Sequence, residues 1–146
     1  MKIWIINGPN LNLLGRRQPE IYGYKTFAQY FEELKSAFPA VDLSYFQSNH
    51  EGSIIDHLQS IGFGLSDGLI INPGAYTHTS LAIGDCLAAI QLPTIEVHIS
   101  DIYKRESFRH HSYVKPHCVD SIVGMGLEGY SIAIERLLSH LNAIKK

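Results

Sequence analysis

The sequence predicts an α/β protein of three layers, in which a five-stranded parallel sheet lies between two layers of helices. Short apolar runs alternate along the 146 residues with segments whose apolar positions recur at helical spacing, which is the pattern of repeated βα units. No repeat, linker or low-complexity stretch divides the chain, so we expect residues 1–146 to form one domain. At this length we predict the flavodoxin-like strand order, 2-1-3-4-5.

Five runs have the composition of β-strands, and we place them at 2–6, 41–47, 68–72, 93–99 and 118–124. The first and third, KIWII and GLIIN, are nearly continuous in apolar residues, as expected of parallel strands covered on both faces. The second, VDLSYFQ, alternates between apolar and polar residues, which predicts one more exposed face. Strands of this kind require helices on both sides of the sheet.

Four segments are predicted to be helices. The first begins after Thr26, which can cap it, and ends before Pro39. The others cover 53–62, 79–90 and 129–144. The last of them carries its apolar side chains along one side, at Tyr130, Ile134, Leu137, Leu138, Leu141 and Ile144.

The composition argues against several classes of protein. The formal net charge of −2 lacks the basic excess of nucleic-acid-binding domains, so we expect no nucleic-acid partner. No apolar run approaches the roughly 20 residues that cross a bilayer, and the N-terminus is too short in its apolar part for a signal peptide. Cys86 and Cys118 have no metal-ligand spacing and predict buried thiols in a reducing compartment, with a disulfide less favoured. We therefore expect a cytoplasmic protein that does not enter a membrane.

The functional site is predicted at the carboxyl ends of the strands, where ligands bind in open parallel sheets. Three predicted strands end in segments rich in Asn, Gly, His and Ser, namely NGPN, NPGAYTHTS and EVHIS. Asn10 and Asn72 lie in the first two of these segments, although asparagine is also a common turn former. The opposite ends of the strands show no such cluster.

The connection between the first strand and the first helix, residues 7–27, is far longer than the about 2–6 residues of an ordinary loop. It contains Arg16 and Arg17 and, shortly after, Tyr22. A free tyrosine has a pKa near 10 and is a weak base at neutral pH, but a guanidinium beside the phenol favours the phenolate. We interpret residues from about 15 to 25 as a lid that carries a base and the cation that activates it. The alternative is a surface loop with solvated arginines and a packed tyrosine.

Glu96 and His98 are two residues apart on a predicted strand, so their side chains project from the same face. The carboxylate could orient the imidazole, and His98 would then be a general acid or base. The alternatives are a structural histidine and, less favoured, a zinc ligand, since no recognised metal spacing is present. His78 and Ser80 lie near the predicted start of the third helix, with Asp85 two turns beyond His78 on nearly the same face.

Residues 101–117 form a basic stretch next to the end of the fourth strand. Such a run is most often a solvated surface, but Arg105 and Arg109 are one helical turn apart and could face one cleft. There they could hold a hydroxylated or carboxylated ligand. No GxGxxG, GxxxxGK, GxSxG or HExxH motif occurs, so we expect no nucleotide cofactor, no serine nucleophile and no metal.

Four motifs together resemble those of the type II 3-dehydroquinate dehydratase family over essentially the whole chain. They are INGPNLNLLGRR with a following YG, then INPGAYTHTS, IEVHISDIYKRESFRHHS and GMGLEGY. The resemblance implies a flavodoxin-like fold, a dodecamer built from trimers and no cofactor. It also implies the anti elimination of water from 3-dehydroquinate, through an enolate, to give 3-dehydroshikimate in the shikimate or quinate pathway.

The resemblance implies a role for each matching residue. Tyr22 matches the base that takes the proton next to the ketone, and Arg17 matches the cation that activates it. Asn10 matches a residue that helps to position a water against the enolate oxygen, and His98 matches the acid that protonates the departing hydroxyl. The matching substrate contacts are Asn72, His78, Ile99, Ser100 and Arg109, together with Asp85 supplied across a subunit interface. Arg105 matches a lid-associated arginine.

Two further points bear on the resemblance. Ile99 and Ser100 would offer backbone N–H groups to the substrate carboxylate. Gln18 stands where many members of the family have Glu, which removes a negative charge beside Arg17. A non-catalytic module of the same fold that binds a small polyol or carboxylate is the alternative function.

Overall fold

The computed structural model describes the whole chain, Met1–Lys146, as a parallel sheet with helices on both faces. The strands are β1 (Lys2–Asn7), β2 (Asp42–Gln47), β3 (Gly68–Asn72), β4 (Thr94–His98) and β5 (Asp120–Val123). Their order across the sheet is β2-β1-β3-β4-β5, and every neighbouring pair is parallel. The predicted fold class and strand order are confirmed, and the strand ends differ from the predicted ones by two residues at most.

The helices are α1 (Pro19–Tyr22), α2 (Phe27–Ala37), α3 (Glu51–Ile61), α4 (Leu81–Ile90) and α5 (Glu128–Ile144). The four long helices lie within two residues of the predicted ones, whereas the four-residue α1 was not predicted. None of the helices is both long enough and apolar enough to span a bilayer.

Thr26 begins α2 as predicted, and it does so through a capping box. Its hydroxyl accepts a hydrogen bond from the backbone N–H of Gln29, and the Gln29 side chain accepts one from the backbone N–H of Thr26. Two N–H groups that the first turn would leave unpaired are thereby satisfied. The segment predicted to be a lid is consequently anchored at its C-terminal end, where α2 begins.

The two faces of the sheet form two separate apolar clusters. Because successive residues of a strand point to opposite faces, Ile5 packs with α2 and α5 whereas Ile6 packs with α3 and α4. Tyr130 and Leu137 of α5 are fully buried in the first cluster, and Leu58 of α3 is fully buried in the second. The sheet is therefore covered on both faces, which explains the continuous apolar composition of β1 and β3.

The carboxyl ends of β1 and β3 meet at the centre of the sheet, where the strand order reverses. Asn7 pairs with Asn72, and the N–H of Gly8 donates to the Asn72 carbonyl oxygen over 2.7 Å. A Cβ atom added at Gly8 would lie 2.2 Å from the Pro73 backbone oxygen. The loops that follow β1 and β3 can therefore approach this closely only with glycine at position 8. The crevice that opens above this crossing is the expected place for a ligand.

The connection from β4 to β5 contains no α-helix. It is built from three short 3₁₀ helices, Ile102–Lys104, Ser107–Arg109 and Lys115–His117, as the irregular basic sequence indicates. Val114 fixes it to the sheet by packing, fully buried, in the cluster beneath α4. This connection brings the basic residues to the carboxyl end of β4.

Candidate active site

A cavity of about 180 Å³ opens at the carboxyl ends of β1, β3 and β4. Ten of the twelve predicted site residues line it, namely Asn10, Arg17, Tyr22, Asn72, His78, His98, Ile99, Ser100, Arg105 and Arg109. Of the other two, Glu96 is buried behind His98, and Asp85 lies outside the cavity on the exposed face of α4. A cavity of this volume suits a small metabolite rather than a dinucleotide.

The predicted lid is partly helical, because α1 occupies its centre. Gln18 precedes this helix in the left-handed region with φ of +42°, and Gly23 ends it with φ of +79°. Pro19 fits the first helical position, where the N–H that proline lacks would have no partner. A helix of four residues is too short to show apolar periodicity, which is why the sequence pattern did not indicate it.

Tyr22 is the last residue of α1, and it reaches the cavity with Arg17 beside it. The guanidinium carbon of Arg17 lies 5.8 Å from the centre of the Tyr22 ring, within the range of a cation–π contact. The backbone N–H of Arg17 donates to the Leu13 carbonyl, which fixes the turn that precedes α1. Both side chains are half-buried, so the cation acts on the phenol with only partial screening by water.

His98 and Glu96 form the second ionisable pair of the site. Nε2 of His98 lies 2.7 Å from Oε1 of Glu96, and both side chains are buried. A carboxylate only accepts hydrogen bonds, so the proton between them is carried by Nε2 when Glu96 is ionised. Nδ1 of His98 is then the ring nitrogen left to exchange a proton with a ligand, as the predicted orienting role of Glu96 requires.

Three hydroxyl groups hold the Glu96 carboxylate in place. Thr77 and Ser112 donate to Oε1, the latter over 2.9 Å, and Ser121 donates to Oε2 over 3.4 Å. Burial by itself raises the pKa of Glu96, but the hydrogen bond and charge of His98, with those of Thr77 and Ser112, lower it below its ordinary value. These contacts therefore favour the ionised form of Glu96 and fix its position beside His98.

His78 is fixed by a backbone carbonyl. Its Nδ1 lies 2.7 Å from the carbonyl oxygen of His111, which can only accept, so Nδ1 carries the proton and Nε2 is an acceptor. Burial lowers the pKa of His78, and the nearby His98 and Arg109 lower it further, against the opposing effect of the His111 carbonyl. His78 is consequently a neutral acceptor next to His98, with the two ring centres 6.2 Å apart.

The prediction that His78 and Asp85 share one face of one helix is wrong. His78 ends a separate 3₁₀ helix, Gly74–His78, and Thr79 with φ of −130° interrupts the chain before α4 begins at Leu81. Ser80 does cap α4, since its hydroxyl accepts the N–H of Ile83 over 3.0 Å. Asp85 points away from the cavity of its own chain.

Arg105 and Arg109 both line the cavity. The prediction that they are one helical turn apart is wrong, because Arg105 follows one 3₁₀ helix in an extended conformation and Arg109 ends the next. Nε of Arg109 donates to Glu106 over 2.7 Å, which leaves its terminal NH₂ groups available. The backbone N–H groups of Ile99 and Ser100 donate to no group of the protein. This wall of the cavity therefore presents cations and free donors, as an anionic ligand needs.

Asn10 has the left-handed conformation, with φ of +69°, and its N–H donates to the Asn49 side chain over 3.0 Å. This turn at the end of β1 exposes the Asn10 amide at the rim of the cavity. No group of three or more His, Cys, Asp or Glu side chains is placed to share a metal ion.

Four polar residues that hold the site were missed by sequence reasoning, namely Asn7, Thr77, Ser112 and Tyr130. The hydroxyl of Tyr130 donates to Asn7 over 2.7 Å and accepts from Asn72 over 2.9 Å. The periodicity of α5 places Tyr130 among its apolar residues and gives no indication of a partner for its hydroxyl group. The GMGLEGY motif, which ends in this tyrosine, was the available signal.

The fold and the site define the general class of the chain: an α/β protein with two ionisable pairs, suited to proton transfer, at the reversal point of its sheet. The chain belongs to the dehydroquinase class II family, whose model matches residues 1–138. It is therefore an enzyme of the hydro-lyase class.

Individual relatives agree with this membership. The chain is 50% identical over 140 residues to the 3-dehydroquinate dehydratase of Bordetella avium, covering 94% of this chain and 97% of that one. It is 52% identical over 137 residues to the 3-dehydroquinate dehydratase 2 of Agrobacterium fabrum, covering 92% of each. The crystal structure of type II dehydroquinase from Butyrivibrio crossotus superimposes with a TM-score of 0.90 at 48% identity, covering 94% of this chain and 97% of that one.

Proposed function

We propose that this protein dehydrates 3-dehydroquinate to 3-dehydroshikimate by an anti elimination that passes through an enolate. The observation that carries the proposal is that Tyr22 and His98 line one cavity, each beside a charged partner. Relatives at about half identity bear the name of this activity. The elimination needs one group that accepts a proton from carbon and one that gives a proton to oxygen, and the site offers one of each.

In the first step, the Tyr22 phenolate takes the proton from the carbon next to the ketone. The bonding pair moves toward the carbonyl and gives an enolate. The positive guanidinium of Arg17 beside the ring offsets the negative charge that develops in the transition state. Asn10, exposed at the rim, positions a water against the enolate oxygen.

In the second step, the enolate collapses to the conjugated enone and the hydroxyl group departs. His98 delivers a proton to that oxygen, so the leaving group is water and the atoms balance. Glu96 stabilises the imidazolium before delivery and keeps the ring in place afterwards. Before the next cycle, Tyr22 releases its proton to solvent and His98 takes one up from solvent, so both groups return to their starting states.

The remaining lining residues bind the substrate. The free N–H groups of Ile99 and Ser100 accommodate its carboxylate, and the terminal NH₂ groups of Arg109 reach its oxygens. His78, as a neutral acceptor, takes a hydrogen bond from a substrate hydroxyl, and Asn72 donates one. Arg105 closes the same wall from the β4–β5 connection.

Asp85 acts in a neighbouring subunit, in an assembly of trimers that forms a dodecamer. In the single chain, the exposed face of α4 is apolar on both sides of Asp85, with Leu81, Ala82, Ala88 and Ala89 exposed. A stripe of this composition supports burial against another copy. The two free cysteines fit a reducing compartment, and we place the enzyme in the cytoplasm, in the shikimate or quinate pathway.

The alternative function, a non-catalytic module that binds a polyol or carboxylate, has the cavity and its donors in its favour. A non-catalytic module would not require the buried carboxylate of Glu96 next to His98. The two functions are separated by adding 3-dehydroquinate to the purified protein and following the ultraviolet absorbance of the conjugated enone. Saturable growth of that absorbance supports the dehydratase, whereas binding without absorbance supports the module.

A matched pair of variants extends this test to the acid. His98→Ala removes the proton donor and should lower kcat by roughly 10²–10⁴-fold while the protein still folds and binds product. Glu96→Gln keeps the shape and removes the charge, so kcat should fall by a smaller factor. Wild-type turnover in His98→Ala would refute the assignment of the acid.

A further inference from the structure

The side chain of Asn72 is held in the cavity wall by two hydrogen bonds whose donor and acceptor can both be assigned. Its Oδ1 accepts the backbone N–H of Gly74 over 3.1 Å. A backbone N–H can only donate, so Oδ1 cannot exchange places with Nδ2 at this position. Nδ2 must therefore be the atom that meets the Tyr130 hydroxyl, 2.9 Å away.

The polarity of the Tyr130 hydroxyl follows from that of Asn72. Because Nδ2 donates to it, the hydroxyl oxygen uses a lone pair there and must direct its own proton elsewhere. The acceptor is Oδ1 of Asn7, 2.7 Å away, at the end of β1. A series of hydrogen bonds thus links Gly74, Asn72, Tyr130 and Asn7. The donor and the acceptor of each bond are fixed.

Tyr130 itself is held rigidly and stays neutral. The residue is completely buried on α5, with its ring 5.0 Å from that of Phe27 in an edge-on contact. Burial raises the pKa of Tyr130 far above its ordinary value, against the opposing effect of the hydrogen bonds to Asn72 and Asn7. Its hydroxyl is therefore a fixed neutral group rather than a group that exchanges protons with the cavity.

We propose that Tyr130 is a positioning residue whose buried hydroxyl orients the Asn72 amide, so that the one Nδ2 proton not bonded to Tyr130 is available to a ligand oxygen. The inference rests on the proposed function, in that Asn72 binds the substrate. The same link fixes the N–H of Gly74, at the start of the 3₁₀ helix that ends in His78. A residue of α5, outside the cavity lining, thereby aligns a wall of the site.

The test measures the Tyr130→Phe variant, which removes the hydroxyl and little volume. KM for 3-dehydroquinate should rise roughly 5- to 20-fold, the effect of one lost hydrogen bond, while kcat and its pH profile stay within about twofold. The Kd for 3-dehydroshikimate, measured by calorimetry, should rise by the same factor. Tyr30→Phe is the matched control, because Tyr30 belongs to the same aromatic cluster and does not bond to Asn72.

The action through Asn72 is tested by a double-mutant cycle. In an Asn72→Ala background, the change of Tyr130 to Phe should leave KM and Kd within about 1.5-fold of the single Asn72→Ala values. An unchanged KM in Tyr130→Phe, or an equal further rise in KM and Kd in the Asn72→Ala background, would overturn the proposal.

If Tyr130→Phe does not fold, Asn7→Ala takes its place, because it removes the acceptor that directs the Tyr130 proton. The same two outcomes then apply. Wild-type protein without turnover would instead refute the proposed function, and the Kd values would still decide the role of Tyr130.

Discussion

At the scale of single residues, the site depends on ionisable side chains whose neighbours set their charge and direction. The sequence could predict the pair of Glu96 and His98, because two positions apart on a strand means one face. It could not predict the hydroxyl groups around them, since Thr77 precedes Glu96 by 19 positions and Ser112 follows it by 16. Contacts between residues this far apart in the sequence depend on the whole fold, and the spacing of neighbouring residues does not predict them.

His57, far from the proposed chemistry, makes folding stability depend on pH. Its Nε2 is buried without a hydrogen bond, while its ring stacks on Phe46 with centres 4.0 Å apart and meets Trp4 edge-on. Burial lowers the pKa of His57 below its ordinary value of 6.5. As the pH falls through 6.5, the unfolded chain therefore takes up a proton that the folded chain resists, and the folded state loses stability.

We predict that His57→Phe reduces the fall in melting temperature between about pH 7 and about pH 5. Part of the fall should remain, because the pKa of His78 is lowered as well. The exposed His117 provides the control, and His117→Gln should keep the wild-type pH dependence. Equal pH dependence in wild type and His57→Phe, measured by calorimetric melting, would contradict this account.

At the scale of elements, the sequence predicted all five strands and the four long helices, because their apolar periodicity and their caps are local signals. It failed where the chain is irregular. Thr79 separates His78 from α4 through a backbone conformation that no side-chain pattern shows, and α1 is too short to be periodic. The lid was predicted from the length of the connection and from its arginines and tyrosine, not from a helical pattern.

The crossing of the loops after β1 and β3 predicts a strong effect of one methyl group. Gly8→Ala would place a Cβ atom 2.2 Å from the rigid backbone oxygen of Pro73, so the two strand ends must separate. We expect a loss of roughly 3 kcal/mol in the free energy of unfolding, and a loss of activity, because Asn10 and Asn72 would move apart.

Gly52→Ala is the matched control for this prediction, since a Cβ atom at Gly52 in α3 meets nothing within 4 Å. Its free energy of unfolding should lie between that of wild type and about 1 kcal/mol above it. Urea unfolding followed by circular dichroism measures both variants. If Gly8→Ala is as stable and as active as Gly52→Ala, the close approach of Gly8 to Pro73 is not required for stability or activity.

At the scale of the whole molecule, we propose that another copy of the chain covers the exposed apolar face of α4. Leu81 is 61% exposed next to three exposed alanines and Asp85. The sequence suggested an intersubunit role for Asp85 through family resemblance, and the position of Asp85 outside the cavity of its own chain is consistent with that role.

We predict that light scattering gives a mass many times the 16.4 kDa of one chain. Leu81→Asp should break the assembly into smaller species, because it places a second carboxylate on the apolar face next to Asp85. Ala37→Asp adds a charge to an exposed position at the end of α2 and should leave the mass unchanged. A wild-type mass near that of one chain, or an intact assembly in Leu81→Asp, would argue against this interface.

We propose above all that the half-buried phenol of Tyr22, with the Arg17 guanidinium beside its ring, removes the proton that starts the reaction. The most direct measurement compares enone formation from 3-dehydroquinate by wild type, Tyr22→Phe and Tyr24→Phe. Tyr24 lies two residues further along the same connection but is 81% exposed and outside the cavity lining. We predict that kcat falls by roughly 10²–10⁴-fold in Tyr22→Phe and by less than about twofold in Tyr24→Phe. Turnover at the wild-type rate in a folded Tyr22→Phe protein would contradict the claim.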